Sequence, residues 1–115
     1  MSEADLNVLR GSLELLILKA LTWGPRHGYA VAEWIESATE DTLLVEEGTL
    51  YPALHRLERK GAVRSEWGVS DNNRQAKFYS LTTAGRMRFR RDLSLWQRYA
   101  AAIEKALSAP SPSTV

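Results

Sequence analysis

Apolar side chains in this sequence recur every three or four residues up to Lys60, every second residue between Val63 and Leu81, and every three or four again beyond Thr83. A 3.6-residue period marks amphipathic helices and a period of two marks half-buried strands. The chain must therefore place one strand pair after a run of helices and before a last helix. With 115 residues it has enough length for a single core.

The first helical stretch carries Leu6, Leu9, Leu13, Leu16, Ile17, Ala20 and Leu21 on one face and stops at Trp23-Gly24-Pro25. A second stripe, Val8, Gly11, Leu15 and Leu18, calls for a second packing partner. His27 to Ala38 reads as the second helix, with His27 at its start as a capping or surface residue and Tyr29 and Trp34 expected to pack. Leu43 to Val45 reads as a short extended piece. Glu46-Glu47-Gly48-Thr49 is the acidic start of a third helix, with Pro52 placed in its first turn and a left-handed cap at Gly61. Val63, Ser65 and Trp67, then Lys77, Tyr79 and Leu81, form two strands around the turn-rich Gly68 to Arg74, with Trp67 over the hairpin's core face. Thr82 or Thr83 caps a fourth helix reaching about Leu107, and the Pro- and Ser-rich residues 108–115 are expected to be disordered.

This order is that of a mainly α winged helix-turn-helix with a small β-hairpin: residues 1–82 for DNA binding, 83–107 as a C-terminal dimerisation helix, then the tail. On a helical wheel with Leu50 at zero, Leu54 and Leu57 lie within about 40°, while His55, Arg59 and Pro52 fall at about 140°, 180° and 200°. Tyr51 and Arg56 flank them at about 100° and 240°. With Thr49 at the helix start, these residues are the candidate groove contacts, and Asn72, Asn73, Arg74 and Lys77 of the hairpin are candidates for the adjacent backbone or minor groove.

Charge agrees with this division. The net charge is only +1, but residues 1–50 hold three basic and nine acidic side chains, whereas residues 56–91 hold ten basic and three acidic. The basic excess coincides with the third helix, the hairpin and the start of the last helix, as an anion-binding surface requires.

Other classes find no footing. There is no cysteine, and His27 and His55 lack partners at metal-ligand spacing, so no metal or cofactor is expected. The acids Glu36, Glu40, Asp41, Glu46 and Glu47 lack the spaced ligands and glycine of a calcium loop and read as solvent-facing charge. Nucleotide-binding glycine loops, nucleophile elbows and paired catalytic carboxylates are missing, which argues against an enzyme. The longest apolar run, Leu13 to Leu21, is interrupted by Glu14 and Lys19 and is too short to cross a membrane, and the acidic start is unlike a signal peptide. A cytoplasmic protein is expected.

Gly11-Ser-Leu-Glu14, Gly24-Pro-Arg-His-Gly-Tyr29, Glu47-Gly-Thr-Leu-Tyr-Pro-Ala-Leu-His-Arg-Leu-Glu-Arg-Lys-Gly61, Glu66-Trp67 and Lys77-Phe-Tyr-Ser-Leu-Thr-Thr-Ala-Gly-Arg86 together resemble the signatures of the PadR transcriptional regulators, over about residues 9 to 96. The resemblance implies a dimeric bacterial repressor that binds a palindromic operator in double-stranded DNA and is released by a small molecule. It assigns recognition to Thr49–Lys60 and the wing to residues 62–81. A single helix after the wing is similar to the small multidrug-responsive subfamily rather than to the larger, phenolic-acid-responsive members. In that subfamily an aromatic residue of the last helix faces its symmetry mate across a pore, and Trp96 stands at the matching position. His55 departs from the lysine or arginine common there.

The homodimer is expected through the stripe Val8, Gly11, Leu15, Leu18 of the first helix and the heptad stripe Phe89, Leu93, Trp96, Ala100, Ile103, Leu107 of the last, with recognition helices about 34 Å apart. Leu15, Lys19 and Trp96 either line a slot for a small planar aromatic effector, or Trp96 simply packs the interface. The competing reading of the whole chain is a winged helix that binds a protein and not DNA.

Overall fold

The structure, a computed structural model, describes the backbone of residues 3–112 and the side chains of residues 11–112. Helix α1 (Glu3–Ala20) ends in one 3-10 turn (Leu21–Trp23), followed by β1 (Arg26–His27), α2 (Gly28–Ala38), α3 (Glu47–Arg59), β2 (Val63–Val69), β3 (Gln75–Leu81) and α4 (Thr83–Ser108). The helices and the hairpin fall where the periodicity puts them.

Strand β1 is an addition. Two residues are too few to show a period, yet Gly24-Pro25 ends the first helical run and leaves Arg26 and His27 extended beside β3. They pair antiparallel with Tyr79 and Phe78, giving a three-stranded sheet of order β1-β3-β2. His27 then caps α2, its Nδ1 accepting from the Ala30 amide at 3.2 Å.

The core is built by Leu13, Ile17, Leu18 and Leu21 of the first helical run, Val31 and Ile35 of α2, Leu50, Leu54 and Leu57 of α3, and Val63, Tyr79 and Leu81 of the sheet. Helix α1 packs against α2, α3 and α4. That triple packing corrects the expectation of a free second stripe: Leu18 is fully buried inside its own chain and Leu15 is half-buried, while Gly11 is exposed. The side chain of Val8 lies outside the described residues.

Helix α3 starts earlier than the capping signal suggests, with Glu46 at its cap position, so Pro52 sits in the second turn and not the first. The carbonyl that Pro52 leaves unpaired belongs to Gly48, which is exposed and open to water. Leu43 to Val45 joins no sheet; the Val45 amide instead donates to the Glu36 carboxylate at 2.9 Å, so Glu36 ties down a loop and is more than solvent-facing charge. Gly61 adopts φ 76°, the left-handed cap expected of it.

The sheet and α4 are clasped at one point. The Thr82 hydroxyl donates toward the carbonyls of Gly61 and Ala62, at 2.6 and 3.1 Å, and accepts from the Gly85 amide at 3.0 Å. Gly85 lies so close to the Ala62 backbone that no side chain fits between them. From this clasp α4 runs over α1 and then beyond the body. The molecule measures 66 × 28 × 25 Å with a radius of gyration of 17.0 Å, against about 13 Å for a compact chain of this length. Ser108 still belongs to α4, residues 109–112 have no regular structure, and residues 113–115 of the expected tail lie outside the described residues.

Candidate nucleic-acid interface

Helix α3 is anchored by Leu50, Ala53, Leu54 and Leu57, all buried, which turns the opposite side outward. Thr49, Pro52, His55 and Arg59 are exposed on that side, as the wheel requires. Tyr51 is half-buried. Its ring lies against Gly28, where an added Cβ would come within 2.8 Å of it, so Tyr51 fixes α2 to α3 and shows only an edge to solvent.

The hairpin stands beside this face. Its tip closes through Ser70 and Arg74 with Asn73 at φ 59°, a left-handed conformation asparagine tolerates, and Asn72, Asn73 and Arg74 are exposed. Lys77 of β3 faces Trp67 of β2 in register, its ammonium 5.9 Å from the ring centre. Trp67 does not cover a core: it is 68% exposed. It lies on the same side of the sheet as the buried Val63, Leu81 and Tyr79, but at the other end of β2 from Val63, where the surface opens beside Tyr51 and His55 of α3. This cleft between α2, α3 and the hairpin is lined by His27, Tyr29, Tyr51, His55, Trp67 and Lys77. Tyr29, expected to pack, is 61% exposed on this cleft, stacked on His27 with ring centres 6.5 Å apart. Trp34 does pack, against the core and Trp23.

One candidate faces the other way. Arg56 sits on the shoulder of α3, and its Nε is 3.3 Å from Oε1 of Glu14, with only 20% of its side chain exposed. Glu14 is itself 6% exposed and also takes Arg88 of α4 at 3.0 Å. The buried carboxylate draws Arg56 Nε toward α1 and leaves little of the side chain in solvent. A lone acid in the apolar run Leu13 to Leu21 was the sequence signal for this cluster, but its two arginines lie 42 and 74 residues away.

Burial raises the Tyr79 hydroxyl above its ordinary pKa, with Glu58 and Tyr51 adding to the effect. No group of three metal-ligating side chains occurs among the described residues. No described helix is long and apolar enough to cross a membrane.

The model of the transcriptional regulator PadR-like family matches residues 17–91, which span α3, the hairpin and the clasp to α4. The chain belongs to the PadR-like family. A transcriptional regulator from Clostridium thermocellum is 28% identical and superposes with a TM-score of 0.78 over 86% of this chain and 96% of that one. A PadR family transcriptional regulator from Eggerthella lenta is 30% identical, with a TM-score of 0.75 over 93% of this chain and 91% of its own. An uncharacterized protein of Lysinibacillus sphaericus is 29% identical over 80 residues, 70% of this chain and 73% of that protein.

In this PadR-like chain the expected dimer and effector residues are unevenly disposed. Phe89 packs in part on the chain's own core, and Leu93 is likewise half-buried. Beyond them Trp96, Ile103 and Leu107 are 46%, 42% and 81% exposed. Leu95 and Tyr99, which the heptad reading omitted, widen this apolar band. The Lys19 ammonium is held over Trp23 at 4.5 Å and Phe89 at 6.0 Å, just under two turns short of Trp96 along α4. A single copy of this PadR-like regulator therefore does not join Lys19 to Trp96.

Proposed function

We propose that this PadR-like regulator is a cytoplasmic homodimeric repressor that reads a palindromic operator. In this reading Thr49, Pro52, His55 and Arg59 enter the major groove with an edge of Tyr51, while Asn72, Asn73, Arg74 and Lys77 hold the flanking backbone. The observation that carries it is the pairing of α3's exposed polar face with a polar, solvent-exposed hairpin that carries Arg74 at its tip and Lys77 on the open cleft beside α3. Trp67 joins the interface as an apolar surface against the sugar edge, since its ring is 68% exposed beside Lys77.

The dimer forms through the projecting part of α4, where Leu95, Trp96, Tyr99, Ala100, Ile103 and Leu107 meet their symmetry mates, with Leu15 and Gly11 of α1 at the margin. Support comes from an apolar band that a monomer leaves in water and from the extended shape of the single chain. A small planar aromatic compound is taken up beside Trp96 between the two copies. Trp96 and Tyr99, with ring centres 6.3 Å apart, supply the aromatic wall.

The test is operator selection from random duplexes, followed by anisotropy titrations at several salt concentrations. Arg59→Ala and Arg74→Ala are each expected to lower the slope of log K against log salt by about one, and Arg59→Ala to relax base preference as well. Recovery of no sequence-specific site would refute the regulator reading and favour a protein-binding module.

A further inference from the structure

Glu14 is the one buried charged side chain among the described residues, and its two oxygens face different helices. Oε1 is 3.3 Å from Arg56 Nε on α3, and Oε2 is 3.0 Å from Arg88 Nη2 on α4; Arg88 is also braced by Asp92 at 3.1 Å. This carboxylate on α1 therefore joins the helix with the groove face to the helix with the projecting apolar band. Among the described residues no other side-chain hydrogen bond joins α1 to α3 or α4; the Lys19 ammonium over the Phe89 ring and the packed apolar side chains add contacts that are less directional than a charge-assisted hydrogen bond. Charge-assisted hydrogen bonds are directional, and two guanidinium groups converging on one buried carboxylate fix both distance and rotation.

We propose that Glu14, with Arg56 and Arg88, is a positioning device that sets the angle between α3 and α4 and thereby the operator spacing the dimer accepts. The proposal rests on the dimeric operator-binding reading above. If the twofold axis passes through α4, any tilt of α3 against α4 appears twice in the separation of the two recognition helices. Moving the half-sites by one base pair displaces them by about 3.4 Å and rotates them by about 34°, so a rigid joint rejects such operators and a loosened one accepts them. Arg56 then serves recognition from behind the helix, without touching DNA.

The full chain carrying Glu14→Gln, which keeps the shape but loses the charge, is titrated against the selected operator and against versions with one base pair added to or removed from the spacer. An isolated half-site serves as the single-contact reference. Wild type is expected to discriminate at least tenfold against the altered spacers. Glu14→Gln is expected to discriminate threefold or less while binding the isolated half-site as wild type does. Arg88→Lys, which keeps the charge but replaces the fork by a single point, is expected to fall between them, and it carries the test if Glu14→Gln does not fold. A purely structural role lowers the melting temperature and weakens every operator by one common factor; unchanged spacer discrimination in the variants overturns the proposal. If wild-type protein binds no palindromic site, the regulator reading falls first. If wild type binds and discriminates but the variants do so equally, only the positioning role is lost.

Discussion

Gly85→Ala adds one methyl group at the point where α4 leaves the sheet. The new Cβ would fall inside the contact radius of the Ala62 carbonyl oxygen and 2.9 Å from its carbonyl carbon. Backbone, and not a flexible side-chain end, is in the way, so the first turn of α4 must lift. That movement loosens the Thr82 amide bond to Ala62, 3.1 Å, and the Thr82 hydroxyl clasp. Overpacking of this kind costs about 1–3 kcal/mol, and losing the cap adds about 1 kcal/mol. The helix propensity of alanine over glycine returns about 0.5–1 kcal/mol. The balance is a loss of about 1–3.5 kcal/mol, a fall of roughly 4–15 °C in melting temperature for a chain of this size. Thermal unfolding followed by circular dichroism, at one fixed protein concentration because a dimer's stability depends on it, gives the measurement. Gly48→Ala is the control: no atom lies within 4 Å of its added Cβ, so it should melt at or above wild type. If Gly85→Ala melts within about 2 °C of wild type, the clasp does not govern the seating of α4.

Arg56→Ala should separate stability from DNA contact: a loss of about 1–2 kcal/mol in denaturant unfolding, modest because Arg88 still faces Glu14, with no change in the salt slope of operator binding. Gly11→Ala should leave the fold intact or slightly stabilised, since no atom of the described residues lies within 4 Å of the added methyl group, yet should weaken self-association in sedimentation if copies approach closely at α1. Trp96→Ala should raise the dimer dissociation constant at least tenfold by analytical ultracentrifugation, because Trp96 is the largest side chain of the exposed band of α4. Tyr79 carries a hydroxyl whose pKa is raised above the ordinary 10.0 by burial. Above pH 10 the unfolded chain ionises this group before the folded chain does, so stability falls as pH rises toward the folded value. Tyr79→Phe should lose less stability than wild type between pH 9 and 11, and parallel declines would count against the burial of that hydroxyl.

The charge division acquires a sharper meaning in three dimensions. Ten basic groups fall within residues 56–91, but Arg56 and Arg88 are spent on Glu14 and Lys77 lies beside Trp67. Arg59 and Arg74 stand free of the Glu14 cluster on the helix and the wing. Affinity for DNA in general should therefore be lower than the count of positive residues suggests, with discrimination resting on shape and spacing.

Helix positions, the hairpin, the outward placement of His55 and Arg59, the Gly61 cap and the Thr82 cap were legible in the sequence, because period, turn residues and caps act over a few residues. The family resemblance was legible for the same reason: its motifs are runs of neighbouring residues. Tertiary structure decided what depends on distant pairs. Strand β1 exists because β3 has a free edge, Leu18 is buried because α1 is packed by three helices, and Trp67 is exposed because its end of the hairpin borders an open cleft. Arg56 turns inward because Glu14, 42 residues earlier, waits on α1. A helical wheel assigns a shoulder residue an angle, but which neighbour holds the compensating charge is fixed only when the helices pack.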